Sequence, residues 1–150
     1  MNRMTRSTAH LATRLTAAVA LAAALVLGAT GKVHAQSAEQ VKADFARAVY
    51  QSSAARVHNE APQPLLRAVV VLRVKLDDQN RWQAEVFRDN PQQPEMTRAA
   101  LESVSRLPSP VALTPQAMDM LHNEGLIEAW LFQTDGRFAL KTLAKPQRGA

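Results

Sequence analysis

The sequence predicts an α+β fold, an antiparallel sheet of two hairpins with helices packed on one face and preceded by an N-terminal helix. Three observations predict it. Apolar and polar residues alternate from Leu66 to Leu76 and again from Trp82 to Phe87, the period of two that a half-buried strand requires. A second pair of strand-like runs, Leu126 to Thr134 and Arg137 to Leu143, flanks Asp135-Gly136, a strong two-residue hairpin signal. Apolar residues at helical spacing occur before the first hairpin and between the two, with no βαβ alternation and no internal repeat.

Each element follows from local chemistry. Ser37 through Gln40 has the form of a capping box, and Val41, Phe45, Ala48 and Val49 then share one helical face, which predicts a helix over Ala38 to Val57. Pro62 and Pro64 end it. In the first strand Leu66, Ala68, Val70, Leu72, Val74 and Leu76 point one way, while Arg67, Val69, Val71, Arg73, Lys75 and Asp77 point the other. Asp77 to Arg81 reads as a turn in which Asn80 takes the left-handed conformation usually given to Gly. Trp82, Ala84 and Val86 then alternate with Gln83, Glu85 and Phe87 to complete an antiparallel hairpin.

Asp89-Asn90-Pro91 breaks the sheet. Pro94 and Glu95 suit a first helical turn, Ala100, Leu101, Val104 and Leu107 form an apolar stripe, and Pro108-Ser109-Pro110 stops it. Thr114-Pro115 is an N-cap followed by Pro at the first helical position, opening a short helix that ends near Asn123-Glu124-Gly125. Lys145 to Ala150 reads as a frayed tail.

Residues 1–35 read as an export signal. Arg3, Arg6 and Arg14 precede an uncharged run of 17 residues from Leu15 to Gly31, seven of them Ala, and Val33-His34-Ala35 supplies a small-residue cleavage site before Gln36. The run is at the lower limit for a membrane span, and Ala is only weakly apolar, so the pattern predicts cleavage between Ala35 and Gln36. The resulting organisation is a signal peptide over 1–35, a helix and linker over 36–64, a domain over 65–144 and a tail over 145–150. The protein is then periplasmic; were the leader retained, it would be anchored in the inner membrane and face the periplasm.

The leader also carries most of the positive charge. The chain has 18 basic and 13 acidic residues, and four of the basic ones, Arg3, Arg6, Arg14 and Lys32, lie in the leader, leaving a net charge of +1 after Ala35. Nothing in that remainder resembles a phosphate-binding stripe, which argues against a nucleic-acid partner. The absence of cysteine excludes disulfides, thiol nucleophiles and Cys-bound zinc.

Signatures of enzyme chemistry are missing. His58 and His122 each sit near a predicted helix end without metal-ligand spacing to another donor. Asp77 and Asp78 are a turn pair rather than a catalytic pair. Ser103 and Ser105 lie on a helix, without a Gly-x-Ser-x-Gly elbow, and the three glycines after Ala35 build no phosphate-cradling loop. These features predict a non-enzymatic protein with no cofactor, no metal and no small-molecule substrate. An envelope enzyme or enzyme inhibitor would instead need His58 or His122 gathered with acidic groups from elsewhere in the fold.

The run from Leu126 to Thr134 is apolar in part on both faces. Glu128, Trp130 and Phe132 share one, and Ile127, Ala129 and Leu131 the other. One reading places the second face against the leading helix. The other makes Leu126, Glu128, Trp130, Phe132 and Thr134 a surface that receives a partner strand, with main-chain hydrogen bonds giving affinity and alternate side chains selectivity.

Taken together, Ala68 to Leu143 resembles the C-terminal domain of the TonB/TolA energy-transducer family. The first hairpin with Asn80 in its turn, the helix with Ala99, Ala100 and Val104 running into Pro108-Ser109-Pro110, and Pro115-Gln116-Ala117 to Gly125 are similar to that family in order and spacing. Trp130-Leu131-Phe132 before Asp135-Gly136 is similar to TonB's third strand and turn. The resemblance implies a periplasmic α+β domain that binds other envelope proteins, in the outer membrane or the periplasm, by strand addition at Leu126 to Thr134.

The chain departs from the family in lacking a long spacer between leader and domain. A released adaptor module is therefore the expected function. The alternative is a short anchored transducer supporting transport across the outer membrane, with an inner-membrane motor as partner if the leader is retained. A long return strand over Arg137 to Leu143 would also occupy the edge that a partner needs.

Overall fold

In the computed structural model, which describes residues 35–147, the chain forms three helices and one four-stranded antiparallel sheet. Helix α1 spans Ala38–Ser52, strands β1 and β2 span Ala68–Leu76 and Trp82–Arg88, and helices α2 and α3 span Pro94–Ser105 and Pro115–Asn123. Strands β3 and β4 span Leu126–Phe132 and Phe138–Leu140. The α+β class and the order of elements agree with the sequence reading. The leader, and with it the expected cleavage of 1–35, falls almost wholly outside the described residues.

The capping signals act as expected. The Ser37 hydroxyl accepts from the Gln40 amide while the Gln40 side chain accepts from the Ser37 amide, satisfying two orphan donors at the start of α1. Thr114 caps α3 through the Ala117 amide, with Pro115 at the first helical position. Asn80 has φ 57°, and Asp77 stabilises that turn by accepting from the Gln79 and Arg81 amides.

The sheet order is β2-β1-β3-β4. Val70 pairs with Trp130, Leu72 with Glu128 and Val74 with Ala84, so side chains of the same parity on all strands form one inner face. All three helices cover that face. Phe45 of α1 lies 5.1 Å from Trp82 and 6.3 Å from Trp130, ring centre to ring centre. Val41, Phe45 and Val49 join Val70, Leu72, Ala100, Val104, Leu121, Trp130 and Phe132 in a single core. Helix α1 is thus part of the core rather than a lead-in, and its expected place against the opposite face of β3 is wrong. The reason is geometric: the inner face, with Val70, Leu72, Trp130 and Phe132, offers the larger apolar surface for Val41, Phe45 and Val49 to bury.

Two boundaries also differ from expectation. Helix α1 stops at Ser52 instead of Val57, because Ser53 leaves the helical conformation and residues 54–56 form one 3₁₀ turn. This frees Val57 to bridge Phe138 in parallel, and lets the His58 amide donate to the Phe138 carbonyl at 2.7 Å. Strand β4 stops at Leu140 instead of Leu143. The chain then turns, with the Leu143 and Ala144 amides returning to the Leu140 carbonyl and the Thr142 amide reaching the Glu128 carboxylate. The tail is less free than expected at its start, since the Gln147 side chain donates to the carbonyls of Pro62 and Gln63.

Candidate functional site: the two edges and the open face of the sheet

Strand β3 was the expected partner-binding element, and the structure places it inside the sheet. It pairs with β1 along Leu126 to Phe132 and with β4 along Trp130 to Phe132. The Lys141 amide donates to the Ala129 carbonyl, extending closure past the end of β4. Trp130 and Phe132 are fully buried, Glu128 is 1% exposed and Leu126 is buried, while Thr134 alone is exposed. Four of the five residues therefore belong to the core, and Thr134 holds the Gln63 side chain through its own amide and hydroxyl. The alternation that suggested a receptor strand is the pattern of a strand with helices on one side and sheet neighbours on both edges.

Polar atoms inside that core are tied to structure. The Trp130 indole donates to the Ser103 hydroxyl at 3.0 Å, and that hydroxyl donates in turn to the Ala100 carbonyl. One Glu128 oxygen accepts from the Ala129 and Thr142 amides, so the carboxylate holds the turn that ends β4; its second oxygen is buried without a partner. The Leu140 amide donates to the Tyr50 hydroxyl, and burial raises the Tyr50 pKa above its ordinary value, with the nearby Glu128 charge adding to the shift.

The outer edge of β4 is closed as well. Val57 and His58 lie along it, and Tyr50 takes one of its amides. The His58 ring approaches the Ala61 carbonyl at 3.3 Å, and the His122 ring approaches the Asn80 side chain at 3.0 Å. Among the described residues, no three His, Asp or Glu side chains gather as a metal site, and no helix is long and apolar enough to cross a membrane.

Strand β2 is different. Among the described residues it has β1 on one side and no strand on the other. The Asp77 amide bonds to the Arg81 carbonyl, which sets the phase of the ladder. Hydrogen-bonded pairs alternate in antiparallel sheet, so Gln83 and Glu85 bond to β1. The main-chain groups of Trp82, Ala84 and Val86 then point to the free edge. Beside that edge runs a groove of about 280 Å³ lined by Trp82, Gln83, Ala84, Leu101, Val104 and Ser105. Trp82 also walls a second hollow of about 280 Å³, where Phe45, Val41, Pro108, Pro110 and Leu113 gather. The Pro-rich loop that closes this hollow carries Ala112 at φ 59° and leaves Val111 exposed.

Sequence reasoning did not single out this edge. The available signal was the run's composition: β2 carries Glu85 and Arg88, and Phe87 falls out of phase with Trp82, Ala84 and Val86. Charges and a broken phase mark an edge strand, and a register shift does occur between Leu72 and Val71 where β2 ends.

No family model, curated protein or solved structure matches the chain.

Proposed function

We propose that this chain is a non-enzymatic protein-binding adaptor of the cell envelope, which takes an extended segment of another exported protein as a fifth strand along β2. One observation carries the reading: among the described residues β2 is paired on one side alone, and its outward main-chain groups at Trp82 and Ala84 border a groove in which Leu101 and Val104 meet the polar Gln83 and Ser105. An added strand would satisfy those groups and lay alternate side chains over Leu101 and Trp82. The leader supports the exported setting. The likeness to the TonB/TolA C-terminal domain supports an envelope partner, although the proposed edge is β2 and not the third strand.

The test separates the edge from the rest of the fold. Chain 36–150 carrying Ala84→Pro lacks one outward donor but keeps the β1–β2 ladder. Immobilised wild-type protein should retain a defined envelope protein that the Ala84→Pro and Val86→Lys variants, checked for an unchanged circular dichroism spectrum, fail to retain. Equal retention by folded variants, or no retained protein at all, refutes the reading. Export is checked separately: mass spectrometry of a periplasmic fraction should find a protein beginning at Gln36.

A further inference from the structure

The face of the sheet turned away from the helices is a second surface, independent of the β2 edge. Val69 pairs with Leu131, Val71 with Ala129 and Arg73 with Ile127, so these side chains stand together on the outer side of the two central strands. Val69 and Ile127 are each 38% exposed, and Phe87 at the margin is 60% exposed. Val71 and Leu131 are half-buried, and Ala129 is buried.

Charge on this face is unbalanced. Arg73, Lys75 and Arg88 (opposite Val71) contribute three cations. Glu85 contributes an anion paired with Arg73 at 3.2 Å, and Asp77 at the turn contributes another, paired with Arg81 at 2.8 Å; Asp89 lies just past the end of β2. Arg73 also lies over the Phe87 ring at 5.5 Å, and Lys75 donates to the neutral Asn123 carbonyl, so Arg73 is shared between an acid and a ring while Lys75 meets no acid there. The surface is an apolar band with a basic rim.

We infer that this face docks an acidic amphipathic helix of a partner protein. The main-chain groups of β1 and β3 are already paired within the sheet, so the face offers only side chains and suits an element whose own backbone is satisfied. The band from Val69 to Arg73 is about 14 Å long at strand rise, matching about nine residues of helix. Carboxylates flanking the helix's apolar stripe would meet Arg73, Lys75 and Arg88, the electrostatic match that fixes orientation.

Two other occupants fit less well. A second copy docked face to face would oppose cation with cation. A bilayer needs apolar groups that reach past the charges into the acyl region, and here the longer Arg73 and Lys75 side chains flank Val69 and Ile127, which are only about one-third exposed.

The test places the photo-crosslinking amino acid p-benzoylphenylalanine at position 127 of the full chain in its native cell and maps the adduct by mass spectrometry. The expected adduct is a peptide from another protein, with apolar residues at helical spacing and flanking Asp or Glu. In a chain also carrying Arg73→Glu and Lys75→Glu, with an unchanged circular dichroism spectrum, its yield should fall about tenfold as attraction becomes repulsion. No adduct, a lipid adduct, an adduct to a second copy, an extended or basic peptide, or a yield indifferent to the charge reversal would each overturn the proposal. An Ala84→Pro background keeps this test apart from the edge reading, because the adduct should persist there.

Discussion

Strands β2 and β3 are each seven residues long, and each places one Trp on the inner face, yet they sit differently in the sheet. Strand β3 has neighbours on both edges, helices above it and a buried Trp130; β2 has one neighbour, a half-exposed Trp82 and exposed Val86 and Phe87. Richness in aromatic residues therefore did not mark the edge strand. Of these two runs, the more apolar lies in the centre of the sheet, where burial is most complete, and the one carrying Glu85 and Arg88 lies at the rim.

The largest test of that contrast is stability. Trp130→Ala removes a fully buried ring and the donor to the Ser103 hydroxyl, which keeps its bond to the Ala100 carbonyl; it should cost about 3–5 kcal/mol in chemical denaturation. Val86→Ala on β2 should cost under about 1 kcal/mol by the same measurement. Similar costs would break the distinction between centre and edge.

The glycines at the two ends of β3 come next. A Cβ at Gly125, φ +74°, would sit 2.6 Å from the Val74 carbonyl oxygen, whereas one at Gly136, φ +81°, meets nothing within 4 Å. Gly136→Ala should cost only the left-handed backbone penalty of about 1–2 kcal/mol, and Gly125→Ala should exceed about 3 kcal/mol because β1 must also move. Equal losses would mean that the entry to β3 is less tightly packed against β1 than the geometry indicates.

The smallest effect concerns the two hairpin turns. Asp77 before β2 and Asp135 after β3 both have carboxyl pKa values below the ordinary range, chiefly because each accepts a backbone amide, from Arg81 and Arg137 respectively, and then an arginine side chain. Their folded values are depressed, so their contribution is present above the unfolded carboxylate value of about 4 and disappears as pH falls through the folded values. Melting temperature should hold steady above about pH 5 and decline below about pH 4, with Asp77→Asn and Asp135→Asn each flattening the decline. Asp135 is exposed and Asp77 lies at the surface of a turn, half-buried, so the change is modest; an Asp77→Asn variant with an undiminished acid decline would assign the effect elsewhere.

Much of the fold was legible in particular residues. Ser37 with Gln40, Thr114 with Pro115, Asn80 and Gly136 encode caps and turns through interactions within four residues, which the chain makes wherever it sits in space. The alternation from Ala68 to Leu76 likewise identified the inner face correctly. The ends of α1 and β4 were not legible, because Val57 is taken from the helix by Phe138 and Thr142 from the strand by Glu128. Both are competitions between distant residues. The burial of the expected partner surface was not legible for the same reason: Glu128, placed in that surface, instead holds a turn inside the fold.

The sequence by itself determined the leader-like N-terminus, the charge balance, the order of elements and the sense of each strand's faces, since these depend on composition and on periodicities of two and 3.6. Tertiary structure decided that α1 shares the core, that β3 is central, and that β2 and the face bearing Val69 and Ile127 are left open. Periodicity states which residues want burial, but which strands become neighbours depends on the total apolar area that the pairing removes from water. Only the assembled sheet determines which edge remains unpaired.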